Sequence, residues 1–348
     1  MDANLADVMK PTAQPIDTSK RTEVIPERTL TAPEASLITR IFLVLLLVPM
    51  LFEISAWLTP GKTNLLAVWT RTGLQRVLTW TLHEGGNGAH LGNEGWLFDQ
   101  RELERMLAHR TADAPASEAV TAFAAELKKR GIPLVLVAVP SRATLYPEKI
   151  REGRYWDPIR ATGEKARLDA LRKTGVDVLD LTEPFWKLRD RKQVYFRRDS
   201  HWTPEAMKQA ALLTEKHLRE KFPTLLGTET PLITATILTH LDAGDLTRKL
   251  DPRSPDKLFG LEQAEVVSIG GIELDDQSPI LLVGGDLMWI YDDDTQHFGG
   301  DSSAGFVSQM ALLAQKPLDV EVWPNPNFAK LDGKKLVVLV LPMAEVLP

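Results

Sequence analysis

The 348-residue chain contains no cysteine. That absence excludes disulfides, thiolate metal sites and a cysteine nucleophile together, and it suits an exported protein that avoids stray oxidation. A basic excess is missing too: 41 lysines and arginines face 47 aspartates and glutamates, a formal net charge of −6. Nucleic acid is therefore excluded as the main partner, because phosphate binding relies on dense Lys/Arg surfaces. No P-loop, no GxGxxG between a strand and a helix, and no HExxH occurs, so nucleotide and zinc-protease chemistry lack their mechanical parts. His83, His90, His109, His217, His240 and His297 are scattered without ligand spacing. Surface or capping roles account for them, and no metal or cofactor is expected. With 44% hydrophobic residues, the chain has ample material for a packed core.

What is present near the amino end is one long apolar run. Residues 41–58 read IFLVLLLVPMLFEISAWL, with Glu53 the only charge and Arg40 directly before it. This is a transmembrane helix of near-minimal length. About forty residues precede it, too many for the leader of a signal peptide, and no small-x-small cleavage site follows, so the run reads as an uncleaved anchor. The alternative is a buried core helix, which Glu53 and Pro49 keep open. Residues 1–40 are polar and rich in Pro and Thr and read as a disordered head. Arg40 places that head in the cytoplasm and the large carboxy-terminal part across the membrane. Residues 59–90 form a connector; within it Leu66, Trp69, Val77 and Leu78 recur at helical spacing, a second amphipathic helix that lies along the membrane or docks on the domain.

Beyond residue 90 the texture is that of an α/β domain. The stretch SEAVTAFAAELKKRG, 117–131, has its cations in the last turn before a terminal glycine and runs into the apolar GIPLVLVAVPS, a helix followed by a buried strand. The pattern recurs in EKARLDALRKTGVDVLDL (164–181), SPILLVGGD (278–286) and KKLVVLVLP (334–342). Continuous Val/Leu/Ile strands alternating with helices predict a mostly parallel sheet covered on both faces, and in such sheets reactive groups collect at the carboxyl ends of the strands. The segments at those ends are PSRATLYPEK, DLTEPFWKLRDRKQVYFRRDSHWTPEA and GGDLMWIYDDD.

Within the second segment, Asp199 and His201 stand two positions apart, followed by Trp202. A carboxylate that fixes an imidazole tautomer, leaving the ring free to take a proton, is one reading; a solvated turn before a helix starting near Pro204 is the other. The order GNEGWLF (92–98), VPSRATLYPEK (139–149), DSHWTPEA (199–206), AGDLTRKL (243–250) and PILLVGGDLMWIY (279–291) resembles the SGNH-hydrolase-like family of alginate O-acetylation proteins, the AlgJ and AlgX type, across 91–348. DSHWT is the most specific of these elements.

The resemblance implies an SGNH-hydrolase-like α/β domain in the periplasm, anchored in the inner membrane by a single pass. It also implies transfer of acetyl groups onto hydroxyls of an exported polysaccharide and a membrane-bound acyltransferase as partner. By position it makes Asp199 the orienting acid and His201 the general base, with a Gly-x-Ser serine at the end of the strand ILLVG accepting the acyl group. That serine is absent: laid on Gly284 and Gly285 the motif puts Asp286 in its place, and laid one residue later it puts Leu287 there. A literal GDS stands at 300–302, making Ser302 an alternative nucleophile; its surroundings also read as a cap by Asp301, Ser302 or Ser303 on the following helix. Arg142, Tyr146, Tyr195, Arg197, Arg198, Trp202, Gly285 and Trp289 are the candidates for a carbohydrate cleft, each equally open to packing or surface roles. Two functional classes follow: an O-acetyltransferase or esterase, impaired at its nucleophile, or a non-catalytic glycan-binding or scaffolding relative.

Overall fold

The computed structural model describes residues 88–108, 116–229, 233–251, 253, 255–271, 274–292, 298 and 303–347, with Arg40 and Leu47. Apart from those two residues, the head 1–40 and the apolar run 41–58, with most of the connector 59–90, lie outside the described residues. Among those that are described, no helix is long and apolar enough to cross a membrane.

In chain order the main elements are β1 (Ala89–Leu91), β2 (Leu97–Asp99), α1 (Gln100–Leu107), α2 (Glu118–Lys129), β3 (Leu134–Val139), α3 (Glu164–Lys173), β4 (Asp177–Asp180), α4 (Pro204–Lys221), β5 (Thr234–Asp242), α5 (Asp245–Leu250), β6 (Glu262–Gly270), β7 (Ile280–Gly284), α6 (Asp286–Trp289), α7 (Phe306–Ala314), β8 (Asp319–Val322), β9 (Leu336–Pro342) and α8 (Met343–Val346). Five strands form the central sheet in the order β4-β3-β9-β7-β8, every neighbouring pair parallel. Two antiparallel pairs, β1 with β2 and β5 with β6, stand apart from it.

Period-two alternation explains why β3, β7 and β9 are apolar throughout. Val135, Val137, Val139, Ile280, Leu282, Leu336, Val338 and Val340 point into one core. Leu134, Leu136, Ala138, Leu281, Val283, Val337, Leu339 and Leu341 point into the other. The first core is closed by α4 and α7, which bury Ala206, Met207, Ala210 and Ala211 against Phe306, Val307, Met310 and Ala311. The second is closed by α2 and α3 through Val120, Phe123, Leu127, Leu168 and Leu171.

Helix starts follow local chemistry. α4 begins where Thr203 caps the amide of Ala206 and Pro204 fills the first turn, a position where proline's missing donor costs nothing. α7 begins at Phe306 with Gly305 as its N-cap and no side-chain cap. Ser303 therefore does not cap it; the amide of Gly305 instead donates to Asp292 (2.6 Å). Asp301 and Ser302 lie outside the described residues.

Candidate functional site

The carboxyl ends of the central strands open onto a cleft of about 460 Å³. Arg101, Glu102 and Arg105 of α1 form one side; Ser141 and Arg142 follow β3, Asp286 and Leu287 follow β7, and Glu345 follows β9. His201 lies on its wall as well. The sequence 194–203 explains why. Tyr195 and Trp202 form an isolated antiparallel bridge, and the amide of Thr203 donates to the carbonyl of Val194 (2.8 Å), so the chain doubles back between them. The doubled-back loop presents the Asp-Ser-His tip.

Asp199 is fully buried and saturated by donors. Its Oδ1 accepts the amide of His201 (3.0 Å) and the His201 Nδ1 (2.7 Å), and its Oδ2 accepts the amide of Asp245 (2.9 Å). With Nδ1 donating, His201 turns Nε2 away from the acid. Burial alone would raise the Asp199 pKa, but the His201 hydrogen bond and charge, with the two amides, bring it down to about 2. For His201, burial opposes the imidazolium, yet the bond and charge of Asp199 outweigh it, with Asp245 and Asp286 adding to them. Its pKa therefore lies above the ordinary 6.5.

The tip is braced from outside. The Asp245 carboxylate accepts the amide and the hydroxyl of Ser200 (both 2.7 Å), while Glu262 at the start of β6 accepts the amides of Arg197 and Arg198 (both 2.9 Å). Burial, and then the charge of Asp199, push the Asp245 carboxyl upward. Arg248 holds the turn that carries Asp245 through a bidentate pair with Asp242 (2.6 and 2.7 Å). Gly244 sits in that turn at φ +85°, and a Cβ there would strike the carbonyl of Arg198; only glycine fits.

Asp199, His201 and Asp245 bring ligand atoms within 4.8 Å of one another, one such group among the described residues. The carboxylate oxygens already accept protein donors, so a cation there would have to displace them. The donor set fits an acid–base pair better than a metal site.

At the end of β7, Gly284 permits the chain to turn tightly: a Cβ would lie 2.7 Å from Met288 Sδ and 2.9 Å from the carbonyl of Val340. Gly285 follows as the N-cap of α6, and Asp286 projects exposed at the cleft. Leu287 is buried, with its edge on the same cleft.

Several residues read as cleft-lining serve the core instead. Trp202 is fully buried and stacked on Phe306 (5.8 Å), because its bridge with Tyr195 turns the ring inward. Tyr146 packs on Trp96 (4.3 Å), and its hydroxyl accepts the amide of Val194 (2.9 Å). Tyr195 does touch the cleft wall, as expected, although it is largely buried, its hydroxyl donating to the carbonyl of Pro140 (2.7 Å). Arg142 reaches the cleft wall, but its guanidinium is buried between the rings of Phe98 and Tyr195 and donates to the carbonyl of Leu97. Arg198 binds the carbonyls of Phe259 (2.6 Å) and Gly260 (3.2 Å), and with Arg197 it lines a separate groove beside β6. Trp289 is half-buried against the first core and is not among the residues lining the cleft.

Sequence reading missed Asp245, Glu102, Ser141 and Glu345. Asp245 sits in the AGDLTRKL element already singled out, where a Gly-Asp pair before a helix was the available signal. Glu102 accepts the amide of Arg142 (2.8 Å), and burial raises its pKa against the pull of Arg142. The Glu345 carboxyl is raised by burial and then by Asp286.

A family model described as SGNH hydrolase-like domain, acetyltransferase AlgX, matches residues 89–284, more than half of the chain. The chain belongs to this family. Among curated proteins it is 33% identical over 171 residues to the probable alginate O-acetylase AlgJ of Pseudomonas aeruginosa, covering 45% of this chain and 42% of that protein. It is 27% identical over 230 residues to the AlgJ of Pseudomonas fluorescens, covering 61% and 57%. The chain thus spans about half the length of the curated relatives it matches. The O-acetyltransferase domain of Pseudomonas putida AlgJ superposes with a TM-score of 0.54 at 20% identity, over 74% of this chain and 92% of that one. Pseudomonas aeruginosa AlgX gives 0.50 at 18%, over 74% and 62%. Both share the AlgJ/AlgX-type fold: a mostly parallel α/β sheet.

Proposed function

We propose that this chain acts in the O-acetylation of an exported polysaccharide, with a site that keeps its acid–base pair and has lost its acyl-accepting serine. The observation that carries this reading is the cleft itself, which holds the Asp199–His201 pair at one wall and Asp286 at the strand end. His201 is the general base, Asp199 orients it, and a sugar hydroxyl in the cleft is the group whose proton Nε2 takes. The name alginate O-acetylase carried by the relatives supports the substrate class.

The covalent step is impaired for a chemical reason. Acyl transfer to Asp286 would form a mixed anhydride, hydrolysed far more readily than a serine ester, and an anion there favours imidazolium over the free base. A second reading, a glycan-holding or scaffolding member of the machinery, is favoured by the same substitution. In either case the 41–58 run anchors the chain in the inner membrane, the head 1–40 is cytoplasmic, the connector 59–90 leads to a periplasmic domain, and a membrane-bound acyltransferase supplies acetyl.

The test is turnover of a small acetyl ester by the full-length chain in mild detergent. The expected rate matches that of His201→Ala. Clear turnover that is lost in Ser302→Ala would place a working nucleophile in the 300–302 GDS and overturn the impairment. Topology is checked separately: protease added to spheroplasts should digest the domain and spare the head, whereas release of an intact domain into the soluble fraction on lysis would rule out the anchor.

A further inference from the structure

The loop between the short helix Pro147–Ile150 and α3 carries Trp156, 71% exposed. Among the described tryptophans it alone is exposed; Trp96, Trp202 and Trp323 are buried, Trp186 and Trp289 partly so. An indole left in water forgoes a large favourable burial, so its place asks for a reason. One face is already covered, with the Arg154 guanidinium 4.0 Å above the ring. The loop is also braced: Tyr155 donates to the carbonyl of Arg151 (3.2 Å) and Ile159 to that of Thr144 (3.2 Å). Arg160 bridges Glu164 (2.8 Å) and Asp180 (2.9 Å). The result is a held ring with one free face.

The loop that carries the ring is fixed at the carboxyl edge of the sheet, where the His201 cleft also opens: Ile159 is tied to Thr144 after β3 and Arg160 to Asp180 at the end of β4. Beside the His201 cleft a smaller hollow is lined by Thr144, Ala161 and Glu164, and it shares Glu102, Arg105 and Ser141 with the cleft. The hollow and the cleft thus adjoin at Ser141, and the loop that carries Trp156 borders the hollow at Ala161. Trp156 is five residues from Ala161, at most about 18 Å of extended chain.

We infer that Trp156, backed by Arg154, is a stacking platform for a sugar ring of the same polysaccharide chain whose other units occupy the His201 cleft. The inference rests on the proposed function. An indole face matches the apolar C–H face of a pyranose, and a ring held beforehand loses little freedom on binding. A lipid surface fits less well: the exposed charges that flank the ring in sequence are Arg151, Glu152, Arg154 and Asp157, which cancel, whereas membrane-surface segments carry a basic excess.

The test titrates the full-length chain in mild detergent with disaccharides and hexasaccharides of alginate and of a neutral β-glucan, at low and high salt. Trp156→Ala should weaken binding of a hexasaccharide at least about fivefold, as loss of a tryptophan hot spot does. Trp156→Phe should restore most of it, disaccharide binding should be unchanged, and salt should leave the ratio unaltered. Wild-type binding that Trp156→Ala does not alter overturns the platform and leaves the proposed function standing. No binding of either polymer by the wild type overturns the platform, while turnover of the small acetyl ester judges the proposed function separately. Binding to anionic vesicles that is lost in Trp156→Ala assigns the ring to a membrane and also overturns the platform.

Discussion

The 199–201 tip and the 284–287 turn face one cleft but are furnished very differently. At the tip, Asp199 takes three donors, and Asp245 and Glu262 each take two more from the loop around it. At the turn the backbone is shaped tightly by Gly284, yet the side chain that projects, Asp286, is exposed. Ordering of this density at a solvent-facing loop costs conformational freedom. The hydrogen bonds that order the tip come from Asp199, Asp245 and Glu262 and involve none of residues 284–287.

The largest expected effect comes from breaking the furnished side. Asp199→Ala leaves the His201 amide, its Nδ1 and the Asp245 amide without their buried acceptor. Removing one partner of a buried ionic pair costs about 3–5 kcal/mol, to be read from the shift in the urea midpoint at unchanged slope. A loss below about 1 kcal/mol would mean that the tip is held by its flanks, through Glu262 and the Tyr195–Trp202 bridge.

The opposite side is tested by repair. Asp286→Ser puts a hydroxyl at the strand end opposite His201, which then takes its proton as the oxygen attacks an acetyl carbonyl. Hydrolysis of a small acetyl ester should rise about a hundredfold over Asp286→Ala, the lower range of general-base assistance, and fall back in Asp286→Ser combined with His201→Ala. No gain would show that the turn and the tip are out of register for chemistry.

Two glycines sharpen the contrast without touching an ionisable group. Gly244→Ala forces a Cβ at φ +85° onto the carbonyl of Arg198, with an expected loss of about 1–3 kcal/mol. Gly285, at φ −100° with nothing near its missing Cβ, should tolerate alanine within about 0.5 kcal/mol. Thermal unfolding of both variants decides it; equal losses would contradict the difference in packing.

The parts legible in the sequence were those written in contiguous residues. LVLVAV, ILLVG and LVVLVLP announce buried parallel strands by unbroken apolarity, and Asp199 and His201 meet because two residues separate them. Side-chain direction was not legible. Trp202 follows His201 directly, yet the bridge to Tyr195 sends it into the core. Nor were non-local partners: Asp245 reaches Asp199 across 46 positions and Glu262 reaches Arg198 across 64. The β5–β6 ribbon was overlooked because TATILTHLD is largely exposed and carries no apolar run.

The smallest effect is electrostatic and separates the two regions most finely. Asp286 is the last of the carboxylates that hold the His201 pKa above 6.5, after Asp199 and Asp245. Asp286→Asn should therefore lower that pKa, and Asp245→Asn should lower it further, as followed by the ring-proton NMR shifts of His201. The sign has a consequence for stability. A histidine whose pKa is raised on folding contributes stability that is full below 6.5 and is lost as pH rises through its folded value. Wild type should thus exceed Asp286→Asn in stability on the acid side of that range, and the two should converge on the alkaline side. If the His201 pKa does not move in Asp286→Asn, the strand-end carboxylate lies too far away to disable the base, and the proposed impairment would rest on the missing hydroxyl alone.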